Sequence, residues 1–138
     1  MSEDHTQDET QRPIQMRQQN VNKSLISQLD LLQSLRRDDY DICLIQEPFI
    51  DFRGKARANR QWITVYPNTH QDHPDKTRSA ILVNTNLLTD TWKQLQFQHP
   101  DITAIEITGS FGTLRIINVY NDGNNNEALT HISAFMRD

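Results

Sequence analysis

Asp41-Ile42-Cys43-Leu44-Ile45-Gln46-Glu47-Pro48 is the stretch on which the fold turns. Its apolar run is unbroken rather than alternating, which suits a strand covered on both faces, as in a parallel α/β sheet. Pro48 disfavours a helical backbone at Glu47, so the carboxylate is expected where the strand ends. Ligands of open α/β sheets bind in the crevice beyond the strands' carboxyl ends, which makes Glu47 the first candidate for chemistry. A surface glutamate closing a buried strand would read the same way from these residues alone.

The segments on either side extend this into a unit. Upstream, Ile14 and Met16 alternate with Gln15, Arg17 and Gln19, a weak strand with Gln18 and Asn20 continuing the Ile14 side. Between the two strands Leu25, Leu29, Leu32 and Leu35 recur at helical spacing, and Ile26 and Leu31 widen the stripe. Asn22 or Ser24 caps the helix start, and Arg36 and Arg37 suit the negative end of its dipole. Strand, helix and strand in this order predict a right-handed βαβ unit, which puts Asn20 and Glu47 at the same edge of neighbouring parallel strands.

Downstream, Trp62 to Tyr66 and Ala80 to Val83 read as strands, and the run through Trp92, Leu95 and Phe97 fits strand or helix. Ile102–Thr108 and Leu114–Tyr120 face each other across Gly109-Ser110-Phe111-Gly112, a hairpin. Asn124 and Glu127 have capping-box spacing for a closing helix with Leu129, Ile132 and Phe135 on its apolar side. The order of elements predicts an α/β sandwich.

Composition limits what the chain can do. The 138 residues amount to one domain or part of one, and the hydrophobic share of 36% implies a thin core. Residues 1–12 are polar and acidic and read as a disordered arm. No apolar stretch reaches membrane-spanning length, so no membrane partner is expected. The single cysteine, Cys43, lies within the apolar run, so it reads as a small buried hydrophobe in a reduced, intracellular compartment. The net charge of −4 argues against a chain whose main task is gripping phosphate backbones. Yet Arg53, Lys55, Arg57 and Arg60 cluster soon after Glu47 and form a local basic patch.

Gln19-Asn20-Val21-Asn22-Lys23-Ser24, the leucine-rich helix, the Gln46-Glu47-Pro48 strand end and Ile116-Ile117-Asn118-Val119-Tyr120-Asn121 together resemble the first half of the endonuclease/exonuclease/phosphatase superfamily. The nearest resemblance is to the endonuclease domains of LINE-type retrotransposons, from about residue 13 to the C-terminus. The resemblance implies the N-terminal half of a four-layer α/β sandwich, a mixed sheet with flanking helices, truncated at its C-terminal side. It also implies that Glu47 holds a divalent metal, Mg²⁺, that Asn20 orients ligands beside it, and that the Tyr120 hydroxyl contacts the scissile phosphate. The implied reaction is phosphodiester hydrolysis, the implied partner DNA, and the implied location the nucleus.

The family's later Asp-x-Asn and Ser-Asp-His motifs have no convincing match. Asp122-Gly123-Asn124 reads as a turn leading into the Asn124 cap, and Asp72-His73 falls too early in the chain. The 138 residues are therefore expected to be inactive alone. The alternative is a noncatalytic remnant acting as a small binding or dimerising protein. Half a sandwich also predicts self-association, through an exposed sheet face or edge.

Overall fold

Among the described residues, the β-rich runs and the leucine-rich segment fold into seven strands and one longer helix. The structure is a computed structural model that describes residues 13–87 and 89–121. The arm over residues 1–12, the turn at Asp122 and the closing helix expected from Asn124 lie outside the described residues.

β1 (Met16–Asn20), α1 (Leu25–Ser34) and β2 (Ile42–Gln46) form the βαβ unit, with β1 and β2 parallel and Asn20 opposite Gln46. β3 (Trp62–Val65) and β4 (Ser79–Asn84) complete a mixed sheet in the order β1-β2-β4-β3, because β4 runs antiparallel to both β2 and β3. β5 (Trp92–Leu95), β6 (Ile102–Gly109) and β7 (Gly112–Val119) form a second, antiparallel sheet. The run through Trp92 is thus a strand, and only Ser110 and Phe111 lie between the paired glycines of the β6–β7 hairpin.

β2 shows why its apolar run is unbroken. Ile42 faces the second sheet and packs with Ile81, Val83, Ile105, Ile107 and Ile116. Cys43 and Ile45 face the other way, into a cluster with Val21, Leu31, Leu35, Trp62 and Leu82 beneath α1. Each fully buried isoleucine contributes about 2–3 kcal/mol, so these two layers hold most of the fold. Burial pushes the Cys43 thiol up to about 12, which suits an inert core residue. Helix, sheet and sheet are three layers of the α/β sandwich, consistent with part of the four-layer arrangement.

Several local expectations differ. Ile26 is 74% exposed and Leu29 46%, so the buried face of α1 runs instead through Gln28, Leu31 and Leu35. Gln28 displaces a leucine there because its amide has backbone partners: it accepts from the Phe49 N–H at 2.7 Å and donates to the Arg57 carbonyl at 3.0 Å. Met16 is exposed, whereas Arg17 and Gln19, on the opposite face of β1, are half-buried; Arg17 reaches Ser34 on α1. Ser24, not Asn22, caps α1 by accepting from the Ser27 N–H. Arg36 and Arg37 lie beyond the last turn and bond Asp39 and Thr85 instead of the helix end.

Candidate functional site

The β1–α1 corner, the end of β2, the start of β4 and the end of β7 meet at one end of the sandwich. Val21 N–H donates to the Gln46 carbonyl and Lys23 N–H to the Glu47 carbonyl, at 3.0 and 2.8 Å, which ties the Asn20 corner to Glu47. Glu47 N–H in turn donates to the Arg78 carbonyl at 2.9 Å. From the second sheet, the Gln46 side-chain amide donates to the Val119 carbonyl at 2.8 Å, next to Tyr120. The segments carrying Asn20, Glu47 and Tyr120 are thereby joined through a short series of bonds.

Glu47 is half-buried, and its carboxylate has no hydrogen-bond or ion-pair partner among the described residues. Its backbone is left-handed, with φ 52°, rather than extended as Pro48 suggested. Asn22 and Lys23, across the corner, are also left-handed, at 53° and 57°. These are the non-glycine residues with such φ among the described residues, and the conformation is costly for each of them. Clustering of strained backbone at one locus is a mark of functional sites. Asn20 is exposed, and its Oδ1 accepts from the Asn22 N–H at 2.8 Å, which fixes the side chain over the corner.

Arg78, just before β4, is a residue that no sequence motif nominates. Its guanidinium forks onto Asp101, Nε to Oδ1 at 2.7 Å and Nη2 to Oδ2 at 2.8 Å. It also lies over the Tyr120 ring, 4.9 Å from the centroid. Asp101 is buried, and its carbonyl accepts from the Tyr120 N–H at 2.9 Å. The pair therefore holds both the main chain and the ring of Tyr120. Arg78 and Asp101 stand 23 residues apart, so no local pattern could have announced them.

Asn118 is the other omission. Buried between the sheets, it donates from Nδ2 to the Ile45 and Ala80 carbonyls, both at 2.9 Å, and its own carbonyl accepts from Ser79 Oγ at 3.0 Å. It pins β7 to the strands that carry Glu47 and Arg78.

Of the described histidines, His99 meets this group through Asp101. His70 is buried, with Nε2 on the Gly54 carbonyl and Nδ1 on the Thr77 hydroxyl, both at 2.6 Å. His99 is buried and its Nδ1 accepts from the Asp101 N–H. His73 is exposed before the turn Pro74–Lys76. No group of three or more His, Cys, Asp or Glu suited to a metal occurs among the described residues. A lone carboxylate with neighbouring neutral oxygens still fits Mg²⁺, which binds through one or two carboxylates and keeps several waters. It does not fit a structural Zn²⁺ site, which needs four protein ligands. A groove of about 550 Å³ lies along β3 between Arg53 and Trp92, and Glu47 is not among its lining residues.

No protein-family model matches the sequence, nor does any curated protein. Among solved structures, the chain is similar to the endonuclease domain of TRAS1, a telomere-specific non-LTR retrotransposon, with a TM-score of 0.67 and 17% identity. The match covers 91% of this chain and 53% of that one, so the chain spans about half the length of its neighbour. The chain has the fold of a LINE-type retrotransposon endonuclease domain, the fold its motifs resemble.

Proposed function

We propose that the chain supplies the metal-carboxylate portion of a Mg²⁺-dependent DNA endonuclease of the non-LTR retrotransposon kind, acting on phosphodiester bonds. The observation that carries this reading is Glu47: a half-buried carboxylate without a protein partner among the described residues, on a strained backbone, bonded between the Asn20 corner and the Arg78–Tyr120 pair. In this reading Glu47 holds the ion, and Asn20 orients groups beside it. The ion, when bound, neutralises charge that builds on phosphate oxygens. Tyr120, braced by Arg78, offers its hydroxyl to a phosphate oxygen and so places the scissile group. A nuclear setting belongs to the same proposal.

Proton transfer needs a base, and the described histidines are buried in structural bonds or, like His73, exposed before the turn Pro74–Lys76. Catalytic groups act as a unit, so the 138 residues by themselves bind the ion without cutting. Calorimetric titration of Mn²⁺, as a Mg²⁺ surrogate, tests the first half: binding to wild type that Glu47→Gln leaves undiminished would sink the reading. A plasmid-nicking assay tests the second, with no nicking expected from the isolated chain; Glu47-dependent nicking would show a complete site. The noncatalytic alternative, with association through open strand edges, predicts a sheet-edge dimer and no ion binding at Glu47. Among the described residues β1 and β3 border one sheet and β5 and β7 the other.

A further inference from the structure

The loop after Glu47 has an unusual construction. Asp51 organises it from within: its Oδ1 accepts from the Arg53 and Lys55 N–H groups at 2.9 and 3.0 Å, and its Oδ2 lies 3.8 and 3.6 Å from the Arg53 and Arg57 guanidinium groups. Outside groups then clamp the loop. Gln28 holds Phe49 and the Arg57 carbonyl, the Tyr66 hydroxyl accepts from the Ala56 N–H at 2.9 Å, and His70 holds the Gly54 carbonyl. His70 is itself stacked on Tyr66, with ring centroids 4.0 Å apart.

What this scaffold presents is Phe52, 93% exposed, with Arg53 beside its ring at 5.7 Å. Lys55, Arg57 and Arg60 are exposed as well. Hydrophobic burial cannot explain such a ring, and the tethers make a floppy loop an unsuitable description. Rigid presentation of an exposed aromatic lowers the ordering cost of binding. A groove of about 460 Å³ joins the loop to the Glu47 corner, with Lys23, Pro48, Phe49 and Phe52 in its lining. Among its lining residues Lys23 is the cation and Asp75 the exposed carboxylate, while Arg53, Lys55 and Arg57 stand on the loop beside it.

We infer that the loop over residues 49–57 is a binding platform for unpaired nucleic acid, with a base stacked on Phe52 and the flanking backbone phosphates met by Arg53, Lys55 and Arg57. An aromatic π-face set among cations is a recurring element of surfaces that hold single strands without sequence preference. A duplex offers a free π-face only at an end or at a kinked step. A second copy of this acidic chain, at −4, is drawn to the basic loop by charge but gains little from a single ring. The inference extends the proposed nuclease reading by naming where a strand leaving the Glu47 site is held.

The test uses the full chain and a fluorescein-labelled oligothymidylate, followed by anisotropy in EDTA at low salt. Phe52→Ala and Phe52→Leu are expected to weaken binding about 5- to 100-fold, while Phe52→Trp retains it and its added emission is quenched by the stacked base. Lys55→Ala, whose side chain holds no part of the loop, lowers the slope of log affinity against log salt by about 0.7. Wild-type binding by Phe52→Ala overturns the proposal, as does full binding by Phe52→Leu, which keeps the apolar bulk without the π-face. Loss of self-association in Phe52→Ala with no change in oligonucleotide affinity assigns the face to a second copy and overturns it as well. The binding is read in EDTA, with no divalent ion present, so a failed Mn²⁺ titration sinks the metal reading while leaving the platform standing.

Discussion

Arg78 stacks over the ring of Tyr120 at 4.9 Å while its Nε and Nη2 both bond Asp101, so the tyrosine rests on an ion pair. Removing the arginine leaves Asp101 buried without its fork and Tyr120 without its brace. Arg78→Ala is expected to cost about 2–4 kcal/mol in urea unfolding. Arg78→Lys cannot reproduce the two-pronged bond and should still cost about 1–2 kcal/mol. Near-wild-type stability in both variants would mean the pair is decorative.

Asn118 predicts a different kind of damage. Asn118→Ala strips donors from two carbonyls between the sheets, Ile45 and Ala80, and should cost about 2–4 kcal/mol. The near-isosteric Asn118→Leu fills the space and still leaves those carbonyls unmet, so it should rescue little of the loss. A thermal melt of the three proteins decides between packing and hydrogen bonding as the role of this position.

Acid should loosen the Phe52 loop. The Lys55 N–H, the Arg53 N–H and the nearby guanidinium groups hold the Asp51 carboxyl below its ordinary value of 3.8. A carboxylate with a depressed folded pKa stabilises the fold fully above its unfolded value, and this is lost as pH falls through the folded one. Stability should therefore decline below about pH 4 more steeply in wild type than in Asp51→Asn. Denaturant midpoints collected from neutral to acid pH check the slope, and equal slopes would remove Asp51 from the account. Glu106, held low first by the Arg115 side-chain bond, contributes to the same acid limb in both proteins.

The hairpin glycines should respond unequally. Gly112 has φ 107°, so Gly112→Ala is expected to cost about 1–2 kcal/mol whatever space surrounds it. An added Cβ at Gly109 meets only the exposed Phe111 ring, at 2.7 Å, and the ring can swing away. Gly109→Ala should stay within about 0.5 kcal/mol of wild type. Reversal of that order in chemical denaturation would contradict the hairpin geometry.

Much of this molecule was legible in its sequence where signals are local. The unbroken run at Ile42 marked a strand covered on both faces, and the glycine pair marked the β6–β7 hairpin. What stayed hidden depends on partners distant in the chain. Gln28 carries no local signal because its partners, Phe49 and Arg57, lie 21 and 29 residues away. Leu29, which fits the period, stands in solvent. Arg78 and Asp101 likewise carry no local signature, since an arginine before a strand is ordinarily solvated. At Glu47 the proline rule gave the wrong backbone, because bonds to the Arg78 carbonyl and from the Lys23 N–H override a local preference.

The left-handed trio Asn22, Lys23 and Glu47 has a consequence for anyone improving this protein by selection for heat resistance. Asparagine tolerates this backbone, but glycine relieves Lys23 and Glu47 by about 1 kcal/mol each, so a screen that rewards melting temperature alone will drift toward Lys23→Gly and Glu47→Gly. The second of these discards the carboxylate while the fold grows firmer. Thermostability and the proposed ion site thus pull the same residue in opposite directions, and a hardened variant should be checked for Mn²⁺ binding before its vigour is admired.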